Sequence, residues 1–235
     1  SLLNLLTAAI DKYIFDPMSN SGMEQKTTTP TINQRKRRFY EESSLFLGHI
    51  CLKLGLTPNI LTAISFLCAI AGGIAFWRDQ MLWGVFWIIA TAFTDMLDGS
   101  TARAGDIGTV FGGILDHVSD RYGEFFILAG ITLSGAVHPG WGIFALFGMI
   151  IASYTRAAAE SMGKIENCAV GIMGRLEKFI LIIAGSIAEY YLPVGTWPRG
   201  GWLEFALIIV GLTSFITSAQ RLVFTYKVLG KKRHV

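Results

Sequence analysis

Four aspartates fall at spacings that could do chemistry. Asp95 and Asp98 are three residues apart, Asp116 and Asp120 four apart, and both pairs border or lie within long apolar runs. Residues three or four apart share one face of an α-helix, so each pair presents two carboxylates in one direction. Solvated loop charges would account for Asp95 or Asp98 singly, but not for Asp116 and Asp120, which are flanked by apolar turns. Ionisable groups inside a membrane span are costly and mark functional paths. Carboxylates converging from neighbouring helices repel by several kcal/mol unless cations or protons neutralise them. An all-oxygen donor set selects a hard ion, Mg²⁺ or Mn²⁺, and such an ion is the usual companion of a pyrophosphate substrate.

Gly99, Gly112 and Gly113 lie beside these acids. Glycine there lets a nucleotide approach the backbone and lets helices pack closely; helix packing alone would account for Gly112 or Gly113 taken singly. Farther along, Arg156, Arg175 and Arg221 sit near the ends of apolar runs on the same side as the acids. Three guanidinium groups together would form a pocket suited to phosphate. Lys178, one turn after Arg175, reads instead as a side chain snorkelling to the interface.

The elements that must position these groups are membrane spans. Of the 235 residues 52% are hydrophobic and 16% charged, whereas a soluble domain carries about a quarter charged residues. The apolar residues come in blocks near the roughly 20 residues that cross a bilayer as a helix. Six spans are predicted, at 59–76, 81–97, 108–133, 142–161, 172–192 and 201–227, with Pro139, Pro193 and Pro198 punctuating two of the connections. An amphipathic stretch from Phe39 to Leu56 precedes them and suits a helix lying in the interface. The expected fold is therefore all-α, a polytopic membrane protein of six transmembrane helices with an N-terminal interfacial helix.

Charge orients the set. Lys26, Arg35-Lys36-Arg37-Arg38 and Lys53 precede the first span, Arg103 and Lys164 lie between later ones, and Lys227, Lys231, Lys232 and Arg233 follow the last. The other side offers Arg78 and Arg199. Positive residues stay cytoplasmic, which puts both termini and the acids on the cytoplasmic side of the cell membrane. The four-base run faces anionic lipid headgroups; no base-reading or aromatic residues accompany it, so no nucleic-acid partner is expected. Residues 1–34 read as a flexible or fusion-derived segment ahead of a membrane domain at 35–235, with Met23 as a candidate start. Cys51, Cys68 and Cys168 have no metal or disulfide spacing and read as packing residues.

The pattern D-x-x-D-G-x-x-A-R, eight residues, then G-x-x-x-D-x-x-x-D resembles that of the CDP-alcohol phosphotransferases. All eight fixed positions are present: Asp95, Asp98, Gly99, Ala102, Arg103, Gly112, Asp116 and Asp120. The likeness runs from the interfacial helix and Leu56-Thr57-Pro58-Asn59 to the last span. It implies a six-helix homodimer with a polar cavity open to the cytoplasm. It also implies that Asp95, Asp98 and Asp116 bind Mg²⁺ or Mn²⁺ and hold the CDP pyrophosphate, and that Asp120 is the general base and touches metal as well. Asn59, Gly99, Ala102, Arg103, Thr109 and Gly112 would lie around the CDP group. Ser153-Tyr154-Thr155-Arg156-Ala157-Ala158-Ala159-Glu160 and Thr217-Ser218-Ala219-Gln220-Arg221 are most similar to the phosphatidylinositol-phosphate and archaetidylinositol-phosphate synthases of that family. Their acceptor, inositol 1-phosphate, is a phosphorylated polyol. Phosphatidylglycerophosphate synthases, which take glycerol 3-phosphate, are the nearest alternative. From a different class, a cation transporter would also need acids in its spans, but these cluster at one end of two adjacent helices rather than near the midplane.

Overall fold

A computed structural model describes residues 44–165, 167–192 and 201–232. The proposed start, the segment 1–34 and the four-base run lie outside the described residues, as do Pro193, Pro198 and Arg199. Every element among the described residues is helical. A short apolar helix, α1 (Ser44–Lys53), is followed by α2 (Pro58–Trp77), α3 (Met81–Gly105), α4 (Val110–Leu133), α5 (Pro139–Met162), α6 (Arg175–Tyr191) and α7 (Trp202–Lys232). Four of these, α2, α3, α5 and α7, are long and apolar enough to cross a membrane. The acids dilute α4, and α6 has 17 residues.

Local signals start the helices. Thr57 caps α2, its Oγ1 accepting from the Ile60 amide at 3.4 Å, with Pro58 in the first turn. Thr109 caps α4 in the same way, accepting from the Gly112 amide at 2.9 Å. These hydroxyls satisfy amides that have no partner within the helix. Pro139 does not punctuate a connection as expected; it opens α5, with His138 as the cap. Proline suits a first turn, where its missing N–H would have had no partner. Buried Glu204 of α7 fixes that corner by accepting from the His138 amide at 2.6 Å.

One boundary moves in a way that matters. The second span was expected to close at 97, just past Asp95, but α3 continues to Gly105 and ends at Asp106 in the left-handed region (φ 49). Only residues 106–109 then separate α3 from α4. Asp98 lies seven residues before the end of α3 and Asp116 six after the start of α4. At 1.5 Å per residue both stand roughly 10 Å from the connection, so the acids meet at one depth.

α2 is the wedge that holds α3 and α4 in place, for it packs extensively against both; α5 packs on α7, and α6 bridges α3 and α7. Ser65 Oγ donates to the Thr91 carbonyl at 3.1 Å across the α2–α3 seam. The α2–α4 seam closes on glycine: a Cβ at Gly130 would strike the backbone of Gly73, and one at Gly73 the carbonyl of Phe126. Small residues permit such close crossings between membrane helices. Gly130→Ala is accordingly expected to destabilise the fold by about 1–3 kcal/mol. In detergent this should appear as a thermal midpoint several degrees lower, and an unchanged midpoint would contradict the close crossing.

The main core joins Ala69 and Phe76 of α2, Ile88 of α3, Ile127 of α4, Met149 of α5 and Ile182 of α6. Large apolar side chains also cover the outside, among them Leu67, Trp83, Phe86, Phe93, Phe147 and Phe205. A soluble surface rarely presents so much contiguous apolar area, whereas lipid is its natural solvent. Cys51, Cys68 and Cys168 are free and buried, as packing residues should be.

Candidate metal and phosphate site

The two pairs of aspartates come together in a cleft between α3 and α4, floored by α2 and closed by α6. Asp95, Asp98 and Asp116 each place one ligand atom within 4.8 Å of the others. Asp98 is buried and accepts from Thr62 Oγ1 of α2 at 2.8 Å, which fixes its orientation. Asp116 Oδ1 is buried without any hydrogen-bond partner. An orphaned carboxylate oxygen facing two further carboxylates fits a hard divalent ion by donor type and by unmet demand.

Asp120 lies outside that group of three. Its Oδ2 is 2.6 Å from Arg175 Nη1, and the same nitrogen is 3.0 Å from Asp95 Oδ2. Arg175 opens α6 and stacks over the Phe179 ring, 5.4 Å from its centroid. One guanidinium edge thus bridges both aspartate pairs.

The residues expected around a CDP group fall into two adjoining patches. Asn59, Thr109 and Gly112 meet where α2 and α4 begin: a Cβ at Gly112 would stand 3.0 Å from Thr109 Oγ1 and 3.3 Å from Asn59 Oδ1. Along the end of α3, Arg103 folds back to Ser100 Oγ at 3.2 Å, past Gly99. A Cβ on Gly108 would lie 3.9 Å from that of Ala102, which joins the patches, and Gly113 faces open space. The glycines therefore keep room beside the acids.

The three arginines do not converge as a single trio. Arg175 is at the aspartates, whereas Arg156 pairs with Glu160 at 2.9 Å. Arg221 donates to the Ala152 carbonyl at 2.6 Å and to the Val170 carbonyl at 2.9 Å. Arg121 links the groups: its Nη1 donates to Ser153 Oγ at 2.5 Å and stands 2.7 Å from Glu124 Oε2. Lys178 does not snorkel. It is 6% exposed, inside the bundle.

Thr62, Arg121 and Glu124 thus join the site although they lie outside the aspartate motif. A signal existed for the last two. Glu124 continues the four-residue spacing of Asp116 and Asp120, and Arg121 follows Asp120 directly.

This geometry has relatives. Residues 55–227 match the model of the CDP-alcohol phosphatidyltransferase family. The chain is 34% identical over 199 residues to the archaetidylinositol phosphate synthase of Methanothermobacter thermautotrophicus, covering 84% of this chain and 98% of that one. Two solved structures of the Mycobacterium tuberculosis phosphatidylinositol phosphate synthase are similar, each with a TM-score of 0.67. One has CDP-DAG bound and is 26% identical, covering 78% of this chain and 93% of that one. The other is in complex with manganese and citrate and is 27% identical, covering 78% and 88%. With all four aspartates inside the matched segment, the chain belongs to the CDP-alcohol phosphatidyltransferase family and is a membrane transferase of phospholipid synthesis.

Proposed function

We propose that the protein transfers the lipid-phosphate group of a CDP-lipid, CDP-diacylglycerol or CDP-archaeol, to a hydroxyl of inositol 1-phosphate and releases CMP. The convergence of Asp95, Asp98 and Asp116 within 4.8 Å carries this reading, and the names of the relatives support the acceptor. Asp95, Asp98 and Asp116 would hold Mg²⁺ or Mn²⁺, which supplies charge neutralisation at the pyrophosphate and the leaving group. Asn59, Gly99, Ala102, Arg103, Thr109 and Gly112 line the room for the cytidine and its phosphates. Asp120, engaged by Arg175, accepts the hydroxyl proton. The hydroxyl oxygen forms a bond to the lipid-bearing phosphorus, the bond from that phosphorus to CMP breaks, and CMP leaves with the electron pair.

The wider setting belongs to the same reading. Six crossings place both termini and the site on the cytoplasmic side, supported by the charge asymmetry of the connections. α1 lies in the interface, supported by exposed Phe46 and Ile50 on one side, with exposed Leu54 just past its end, and by Gly48 against the Ser100 backbone on the other. A homodimer rests on the family resemblance.

The acceptor phosphate is assigned to Arg156, Arg175 and Arg221, which would have to draw together on it, since Arg175 stands at the aspartates and Arg156 and Arg221 are paired elsewhere. Arg221→Ala is expected to raise the acceptor KM about 10- to 100-fold, the worth of a hydrogen bond to a charged group. The KM for the CDP-lipid should stay within about twofold of wild type; equal effects on both substrates would sink the pocket. The direct test is a radiolabelled acceptor panel with both CDP-lipids. Incorporation of inositol 1-phosphate supports the reading, incorporation of glycerol 3-phosphate alone moves the protein to phosphatidylglycerophosphate synthesis, and incorporation of free inositol or serine alone rejects a phosphate pocket.

A further inference from the structure

Glu124 stands one turn beyond Asp120 on the same face of α4 and is 1% exposed. An isolated carboxylate buried so deeply costs several kcal/mol, and an apolar side chain of similar volume would fill the space without that cost. What Glu124 adds is a carboxylate, and guanidinium groups from α4 and α6 lie against it. Arg121 Nη1 is 2.7 Å from Oε2 and Arg175 Nε is 3.4 Å from Oε1, and Lys178, one turn after Arg175 on α6, is buried as well. Neither Glu124 oxygen nor Arg175 Nε has an aligned hydrogen bond, so charge rather than hydrogen-bond geometry holds these groups together.

The other edge of the Arg175 guanidinium reaches the site, with Nη1 at 2.6 Å from Asp120 and 3.0 Å from Asp95. A guanidinium is planar and rigid. Holding its Nε on Glu124 therefore fixes where Nη1 meets the aspartates, and the Phe179 ring limits tilting. Glu124 also takes up part of the positive charge that would otherwise fall wholly on Asp95 and Asp120. Arg121, held by Glu124 at one end, reaches Ser153 of α5 at the other, so one carboxylate ties α4 to both α5 and α6.

We infer that Glu124 is a positioning residue that holds Arg175 at the edge of the carboxylate cluster and tempers its pull on Asp95, thereby setting how strongly the cluster binds a divalent cation. The inference rests on the metal-holding reading of Asp95, Asp98 and Asp116. Mn²⁺ binding, read by electron paramagnetic resonance on the purified chain with no substrate present, tests it apart from turnover. Glu124→Gln should weaken Mn²⁺ binding about tenfold, close to 1.4 kcal/mol. In an Arg175→Gln background the same change should move the affinity less than about twofold, because the cycle isolates the path through Arg175.

Unchanged Mn²⁺ affinity in Glu124→Gln, or a full tenfold effect in the Arg175→Gln background, overturns the inference while the metal reading stands. Absence of Mn²⁺ binding in the unaltered chain overturns both. Should Glu124→Gln fail to fold because its buried cations are uncompensated, Glu124→Gln paired with Lys178→Met keeps the cluster's net charge. Weakened Mn²⁺ binding is expected of that pair as well, and wild-type affinity overturns the inference.

Discussion

Replacing Asp116 by asparagine is expected to abolish transfer and, at the same time, to stabilise the chelated protein. Asp95, Asp98 and Asp116 place ligand atoms within 4.8 Å of one another, which at an effective dielectric near 20 means at least about 3 kcal/mol of repulsion per pair. Three such pairs sum to roughly 10 kcal/mol, comparable to the whole stability of a domain. Arg175 offsets part of this at Asp95, 3.0 Å away. Asp116 Oδ1 has no hydrogen-bond partner among the described residues, and the closest basic group on its other oxygen is His117 Nδ1 at 4.0 Å. On the proposed reading, a divalent cation offsets the remaining repulsion. Asp116→Asn removes one charge, so Mg²⁺ should no longer raise the thermal midpoint in detergent. With chelator present, the variant should melt several degrees above wild type, since both of the repulsive pairs that Asp116 makes are relieved. An Asp116→Asn protein that keeps wild-type turnover, or whose midpoint still rises with Mg²⁺ as wild type does, would contradict a metal role for this residue.

Asp120→Asn should act differently. Asp120 lies outside the close group of three and faces Arg175 at 2.6 Å, so the variant should still bind Mn²⁺, up to about tenfold more weakly as Arg175 leans further on Asp95, and show a near-normal KM for the CDP-lipid at saturating Mn²⁺. Loss of a positioned base lowers the rate by about 10²- to 10⁴-fold, and the drop should appear in kcat. The amide also gives Arg175 a neutral partner in place of an anion, so the acceptor KM should shift by no more than a few-fold. Steady-state kinetics in both substrates checks this. A variant retaining more than about a tenth of wild-type kcat would remove Asp120 from the proton transfer.

The acids were legible because helical spacing and an apolar setting single them out in any chain. Their partners were not. Residues 98–105, with Gly99, Ser100, Thr101 and Arg103, read as a polar connection, since hydropathy ends where the bilayer ends while the α3 hydrogen bonds run on to Gly105. That extension shortens the link to α4 and sets the depth at which the pairs meet. Lys178 read as a snorkelling side chain because its counter-charge, Glu124, lies on another helix 54 positions earlier. Only the packing of α6 turns it inward. Arg221 illustrates the same limit. Its position near a helix end was visible, but its bonds to the Val170 and Ala152 carbonyls come from two other segments. Thr62 could not be singled out, as a lone threonine in a span normally bonds its own helix. It does so here too, through the Pro58 carbonyl at 3.1 Å, while also reaching Asp98.

On the proposed function, the aspartate cluster holds a divalent ion required for CMP release. The most direct test of this is the rate of CMP formation from CDP-diacylglycerol or CDP-archaeol with inositol 1-phosphate, after exhaustive chelation and then titration with Mg²⁺ or Mn²⁺. The expected result is no CMP above background in chelator, saturable recovery with either ion, and no recovery in Asp116→Asn. CMP formed at an undiminished rate in chelator, or no CMP at any ion concentration, would contradict it.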